Sequence, residues 1–396
     1  MAVAAGAGTH NLFGSAITLL SQVSARRTRR NISRGSADAA TVPRVPIDLC
    51  ATTAAELAAH ARACFGGAKG AGIAAAVHRD AVRDGVFAPE RHGASPRAAA
   101  TWRTLAALAL PTVAAEQHET VAHGVVRKRL LRLHDGRTVE SVSLPMGRGR
   151  SSLCVSTQVG CARACTFCET GRLGLVRNLD AGEITAQVVL QHRERRPDTI
   201  VFQGMGEPLD NLDALLRALA VLTDRTGLGY AQERLTVCTV GHVPGIDALR
   251  ELGWRRLGLS LSLTSADDAR RRALMPHSVR YPLREIQAAL VRYRQRRNLA
   301  LGIHWCLLPG HNDRAQDAAE IAAFCAPLGR VLVHVIPYNP GSQPIAPAPT
   351  AAQVERFVAA LRAHGLPVRR RVTKGRAVMA GCGQLGAAAA HGRPDA

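Results

Sequence analysis

A partial barrel of six βα units is the fold class predicted for the second half of this 396-residue chain. Three observations carry that prediction. Short apolar runs of strand length alternate with amphipathic runs from Ser152 to Gly365. Such alternation calls for parallel strands joined by right-handed crossovers, in a doubly wound sheet or a barrel. Three cysteines, Cys161, Cys165 and Cys168, directly follow the first strand, and barrel sites gather at the C-terminal ends of strands, which favours the barrel.

The elements follow in order. Residues 1–45 hold Asp38 as their one acidic side chain and the basic run Arg26-Arg27-Thr28-Arg29-Arg30, a composition expected of a disordered arm. Their positive charge follows the apolar stretch Ile17–Leu20, which argues against a secretory signal. Residues 46–124 read as a helical accessory domain, with helices over Ala54–Cys64 and Ala98–Leu110, the second stopped by Pro111. Residues 125–150 read as a β-hairpin linker, alternating apolar and polar residues around Asp135-Gly136. The core, residues 151–386, has strands near Leu153, Thr199–Phe202, Leu235–Thr239, Arg256–Leu263, Leu299–Leu307 and Val331–Ile336. Helices near Ala181, Leu212, Gly245, Leu283, Asp313 and Ala351 follow them, the last opened by the capping box Thr350-Ala351-Ala352-Gln353. Residues 387–396 form a short tail.

Composition excludes several classes. No apolar run reaches the roughly 18 to 20 residues of a membrane span, since Leu105–Ala115 is broken by Pro111. Ten cysteines in a chain this long are not the framework of a small secreted scaffold, and a reducing cytoplasm suits them. Fifty-one Lys and Arg against thirty Asp and Glu leave a net charge of +21, which favours a polyanionic partner. The runs Arg369-Arg370-Arg371 and Arg270-Arg271-Arg272, and Arg193 with Arg195-Arg196, are candidate phosphate contacts.

The run Gly160-Cys161-Ala162-Arg163-Ala164-Cys165-Thr166-Phe167-Cys168 offers three thiolates to one metal centre and withholds a fourth. A structural zinc closes its tetrahedron with four ligands, whereas a [4Fe-4S] cluster held by three cysteines leaves one iron open for chemistry. Further motifs stand at later strand ends: Gln203-Gly204-Met205-Gly206-Glu207-Pro208, Thr236-Val237-Cys238-Thr239-Val240-Gly241, Leu261-Ser262-Leu263-Thr264 and Ile336-Pro337-Tyr338-Asn339-Pro340. Cys154, seven residues ahead of Cys161, and Gly381-Cys382-Gly383-Gln384-Leu385 complete the set.

The cysteine spacing, with an aromatic residue before the last thiol, resembles the signature of radical S-adenosylmethionine enzymes. Taken together, the motifs from about Glu140 to Leu385 closely resemble the RlmN/Cfr family, whose members methylate adenine carbons of ribosomal and, in some cases, transfer RNA. The resemblance implies a barrel of radical SAM type in which Cys161, Cys165 and Cys168 hold one [4Fe-4S] cluster. It implies that Gly206, Glu207, Cys238, Ser262, Leu263, Thr264 and Asn339 contact S-adenosylmethionine. Cys382 then takes a methyl group by displacement, a radical made from a second cofactor molecule removes hydrogen from that methyl, and the carbon radical adds to adenine, C2 ahead of C8. Radical addition suits these electron-poor ring carbons, which a sulfonium methyl donor cannot alkylate. Glu140 matches the family's proton acceptor, although a strand glutamate is equally at home in solvent. Cys154 releases the product and leaves a transient Cys154–Cys382 disulfide.

The implied enzyme is a monomeric radical SAM methyltransferase of RNA processing, fed by a one-electron reductant such as flavodoxin, with no membrane association. Departures from the family pattern are Cys238 in place of serine, Thr264 in place of histidine, His277-Ser278 in place of an Ile-Asn pair, and the basic stretch Lys374-Gly375-Arg376 in place of an acidic loop. They motivate an alternative, the same radical core acting on a non-RNA substrate. Cys50, Cys64, Cys306 and Cys325 match no motif and are expected in the core.

Overall fold

The computed structural model describes residues 45–67, 72–293 and 300–386. The expected arm up to residue 44, the tail 387–396, and Leu299 at the expected start of the fifth barrel strand lie outside the described residues.

The N-terminal unit opens with β1 (Ile47–Asp48), α1 (Ala54–Phe65) and α2 (Ala74–Asp84). A Thr53/Glu56 capping box starts α1, and Gly66 in the left-handed region ends it. The next helix, α3 (Pro96–Leu105), is shorter than the expected Ala98–Leu110. Ser95 caps it with Pro96 in its first turn, and Ala106–Ala107 leave the helix as β2 to pair in parallel with β1. Strand pairing, not Pro111, therefore stops the helix. Leu49, Leu57, Ala61, Trp102 and Leu105 form a small core of their own.

Ten strands form one sheet among the described residues. Three antiparallel strands begin it: β3 (Thr112–Val121), β4 (Gly124–Arg132) and β5 (Thr138–Gly147). The last two are the expected hairpin, closed at Asp135-Gly136 with Gly136 at φ 81°. Strand β3 is additional; its side chains are mostly exposed on both faces, so it carries no period-two apolar signal. The hairpin continues the main sheet, because β5 pairs with β6 (Arg150–Val155).

From β6 the sheet runs parallel through β9 (Thr199–Phe202), β10 (Leu235–Thr239), β11 (Gly258–Ser262), β12 (Leu301–Leu307), β13 (Val331–Pro337) and a short β14 (Val368–Arg370). Two small strands, β7 (Gln158–Gly160) and β8 (Leu175–Asn178), pair separately around the cysteine run, which is followed by one turn of helix, α4 (Glu169–Arg172). The remaining helices are α5 (Ala181–Glu194), α6 (Leu212–Thr223), α7 (Val243–Glu251), α8 (Asp268–Leu274), α9 (Leu283–Tyr293), α10 (Ala315–Cys325) and α11 (Ala351–Ala363). Thr350 caps α11 as the sequence predicts. The N-terminal unit grips α6, where Arg217 makes two hydrogen bonds of 2.5 Å to the Glu56 carboxylate.

Alternation along the parallel strands sorts the side chains. Leu153, Ile200, Phe202, Val237, Leu259, Leu261, Ile303, Trp305, Val333 and Val335 belong to the main apolar core with the helices. Cys154, Cys238, Ser260, Ser262, His304 and His334 sit between them on the opposite face. Trp305 is fully buried and stacks on Phe357 of α11 with ring centroids 5.9 Å apart. Trp305→Ala would empty this contact and should lower stability by about 3–5 kcal/mol. Denaturant unfolding of the two proteins checks this.

Candidate active site in the barrel mouth

The cysteine run needs a backbone that only glycine supplies at Gly160, which has φ 76° and packs against the Gly174 carbonyl so closely that a Cβ would collide with it. The Cys161 N–H then donates to the Gly174 carbonyl at 2.8 Å, and Ala164 takes the left-handed region at φ 51° to turn the loop. Cys168 N–H closes the loop onto the Cys165 carbonyl at 3.1 Å. Burial pushes all three thiols up, Cys161 to about 12. Amides oppose it at two of them, Arg163 N–H beside Cys161, and Gly171 and Thr170 beside Cys168. The three thiols lie within electrostatic reach of one another, although among the described residues no set of three side chains stands at metal-ligand spacing. The donor set suits an iron–sulfur cluster: three thiols on one short loop, Cys161 buried and Cys165 and Cys168 half-buried, with amides aimed at two sulfurs, become thiolates once a metal balances their charge.

The expected cofactor residues stand at or just past the ends of successive parallel strands, after β9, in β10, after β11 and after β13. Gly206, at φ 99°, lies against the Gln158 side chain, whose Oε1 accepts from Glu207 N–H at 2.8 Å. Glu207 is buried, and burial pushes its carboxyl up while Arg163 counters; its two oxygens accept from Leu209 and Val240 N–H. Ser262, Leu263 and Thr264 form a corner in which Thr264 has φ 55°. Buried Arg271 holds that corner through the Leu263, Ser262 and Val240 carbonyls, at 3.1, 3.3 and 2.5 Å. Arg271 is thus a strut and not a phosphate contact. Asn339 faces the C-terminal loop, its Nδ2 donating to the Cys382 carbonyl at 3.4 Å.

Cys154, Cys238 and Cys382, drawn from three distant stretches, share the barrel interior. Burial first, then the neighbouring thiols, push Cys154 well up; Cys238, whose Sγ donates to Gln203 Oε1 at 3.5 Å, is pushed up to about 12. Cys382 is exposed, yet the protein around it pushes its thiol up, with Arg371 opposing. Cys382 is thus an exposed residue whose thiol is set among protein groups and not in open water. All three are free thiols in this structure, so the expected disulfide is not formed. Cys50 and Cys325 are core residues as expected, Cys64 packs on the N-terminal core, and Cys306 packs on a small apolar cluster of Leu274, Met275, Leu308 and Tyr338 while also lying within electrostatic reach of Cys382 and Cys168.

The C-terminal segment carrying Cys382 is tied down along its length. Gly375 and Ala377 N–H donate to the two Glu119 oxygens at 3.1 and 2.7 Å, Glu169 N–H to the Gly383 carbonyl at 2.8 Å, and Gln384 Nε2 to the Pro340 carbonyl at 2.9 Å. Glu140 is fully buried, which removes the solvated alternative. Val142 pairs with Cys154 across β5 and β6, which puts Glu140 on the same face of the sheet as that thiol.

Several polar interior residues escape the motif reading. His304 and His334 are buried with ring centroids 5.1 Å apart, and Arg371 Nε donates to His334 Nδ1 at 3.0 Å. Burial, reinforced by Arg371, pushes His304 well down and His334 down to about 3, so both are neutral. Their signal is a single histidine between two large apolar residues in the middle of an apolar strand, Ile303-His304-Trp305 and Val333-His334-Val335. Of the arginine runs, Arg270 pairs with Asp317 and Glu320, Arg370 with Glu355, and Arg195 and Arg196 bind the Gly149 and Gly229 carbonyls. Arg272 and Arg369 remain exposed. A cleft of about 930 Å³ flanks the cysteine loop, lined by Arg163, Asp210, His242, His277 and Arg280 among others.

The sequence profile of the radical SAM superfamily matches residues 155–325. The chain is 42% identical over 260 residues, 65% of its own length and 69% of the relative's, to the dual-specificity RNA methyltransferase RlmN of Syntrophotalea carbinolica. It is 43% identical over 272 residues, 67% of each chain, to a probable RNA methyltransferase of Sorangium cellulosum. A crystal structure of a radical SAM methyltransferase from Sphaerobacter thermophilus superposes with a TM-score of 0.78 at 33% identity, covering 86% of this chain and 99% of that one.

Gly160→Ala keeps every thiol but shifts the loop, so after anaerobic reconstitution it should bind far less iron than the parent. Cys161→Ala should bind none stably. Iron and sulfide assays of the two variants test whether loop geometry or thiol count governs the site.

Proposed function

The chain belongs to the RlmN/Cfr family of radical S-adenosylmethionine enzymes and is a methyltransferase, and on that premise we propose that it methylates an adenine carbon of ribosomal or transfer RNA, C2 ahead of C8, through a methyl carried on Cys382. RNA is the substrate class that its relatives' names indicate, and the +21 charge agrees. The observation that supports the two-cysteine route is that Cys382, from the far end of the chain, lies within electrostatic reach of both Cys154 and Cys168.

In this reading Cys161, Cys165 and Cys168 hold a [4Fe-4S] cluster, while Gly206, Glu207, Cys238, Ser262, Leu263, Thr264 and Asn339 hold S-adenosylmethionine. When bound, the two supply an electrophilic methyl group and a radical able to abstract hydrogen. The chain's own residues do the rest. Cys382, open to solvent at the cavity mouth, is the thiol that RNA can reach, and Arg371 favours its thiolate against the burial that opposes it. Glu140 takes the ring proton. The Cys154 thiolate attacks the Cys382 sulfur; the bond from that sulfur to the methylene carbon breaks, the carbon takes up a proton to become the methyl group as the adduct gives up its unpaired electron to the one-electron carrier, and the two sulfurs stay joined until an external reductant separates them. A monomer served by flavodoxin or a similar one-electron donor completes the proposal.

Cys154→Ala should trap RNA covalently on Cys382, seen as a protein–RNA band that nuclease digestion collapses. Cys382→Ala should keep its iron and make no methylated base. Normal methylation by either variant would end the two-cysteine route. Mass spectrometry of nucleosides from cells with and without the protein should show loss of a methyladenosine and assign its position; unchanged RNA would redirect the substrate to another class.

A further inference from the structure

Both stems of the Cys382 loop are held by one buried ion pair. Lys128 on β4 and Glu140 on β5 are diagonal neighbours across the antiparallel pair, since Lys128 faces Val142 and Leu130 faces Glu140. Their side chains are 4% and 0% exposed, with Lys128 Nζ 3.0 Å from Glu140 Oε1. Lys128 Nζ also donates to the Met379 carbonyl at 3.1 Å, and Gly386 N–H donates to Glu140 Oε2 at 2.8 Å. Met379 and Gly386 bracket Cys382, and Met379 holds φ 52°, a strained value for a side chain of its size. A closed ring results, from Lys128 to Met379, along the loop to Gly386, and back through Glu140. The other ties between Met379 and Gly386 join neutral groups, and the charged contacts of Glu119 and Lys374 lie at the outer edge of the segment.

We propose that the Lys128–Glu140 pair is a charge-held clasp on the Cys382 loop, with Lys128 as its positioning residue, and that a proton arriving on Glu140 opens it. The opening step rests on the reading of Glu140 as proton acceptor; the clasp itself does not. When the ring proton leaves the base, its bonding electrons stay in the ring and the proton converts the Glu140 carboxylate to a carboxylic acid, while Lys128 keeps its ammonium charge. The attraction between two buried ions becomes one between an ion and a dipole, and a buried cation that loses its partner is costly. The loop is therefore freed after proton removal, at the stage where the Cys382 sulfur has to meet Cys154. Lys128 acts as a switch on loop position without touching the substrate.

The test uses the full chain, anaerobically reconstituted, and reads hydrogen exchange of the amides in residues 379–386 together with alkylation of Cys382 by iodoacetamide, mapped by peptide mass spectrometry. Glu140→Gln mimics the protonated acid and Lys128→Met removes the cation. Each should raise loop exchange and Cys382 alkylation at least about tenfold while α11 keeps its parental protection. Lys128→Arg should restore protection, and the double variant should exchange less than the two singles combined imply, because neither charge is left alone. Glu140→Gln differs from the parent by one atom group, so it decides the matter if Lys128→Met does not fold. An unchanged loop in Glu140→Gln, or exchange that rises equally in α11, overturns the clasp. Methylation separates the two ideas: an opened loop with parental methylation keeps the clasp and removes Glu140 as proton acceptor, whereas a closed loop with lost methylation does the reverse.

Discussion

Each parallel strand of this barrel must give one face to its helices and the other to the interior, and side-chain alternation leaves no third choice. Seven strands obey that constraint together, so every second position collects in one enclosed space. The helix-facing set is apolar and packs with α5, α6, α7, α9, α10 and α11 into a continuous core. The inward set is Cys154, Cys238, Ser260, Ser262, His304 and His334, which could not be buried against helices at tolerable cost. They are compatible with the fold because polar groups from neighbouring loops satisfy them, as in the contacts of Cys238 with Gln203 and of His334 with Arg371.

A sheet with free edges does not enclose a cavity by itself. The three antiparallel strands β3 to β5 extend the wall, and the C-terminal segment from Lys374 to Gly386 lies against them and the cysteine loop. Its anchors come from Glu119, Lys128, Glu140, Glu169, Thr170 and Asn339, which lie far apart in the chain. The result places an exposed cysteine, Cys382, beside the half-buried Cys154, Cys168 and Cys306 and the buried Cys238. Burial keeps all of these thiols protonated by default, and reactivity then depends on what local charge or metal supplies.

Much of the site was legible because its signals are local. The C-x3-C-x2-C spacing, the glycines at Gly160 and Gly206 and the capping box at Thr350 depend on residues a few positions apart, and their geometry follows from the backbone. Helix α3 was overextended because its end is set by pairing of Ala106–Ala107 with a strand nearly sixty residues earlier. Strand β3 was missed because an edge strand exposed on both faces carries no period to read. The arginine runs look alike in sequence, yet Arg271 is buried as a strut beneath the corner formed by Ser262, Leu263 and Thr264 while its neighbour Arg272 is exposed.

By itself the sequence determined the alternation of strands and helices, the three-thiol loop and the presence of two further cysteines, because composition and short-range spacing are enough for each. Only the tertiary structure decided that Cys382 comes back to Cys154, that Glu140 is buried with Lys128, and that His304, His334 and Arg371 line the same interior. These are long-range meetings across the sheet, fixed by strand register and by the return of the C-terminal segment, and no local pattern encodes which distant residue arrives there.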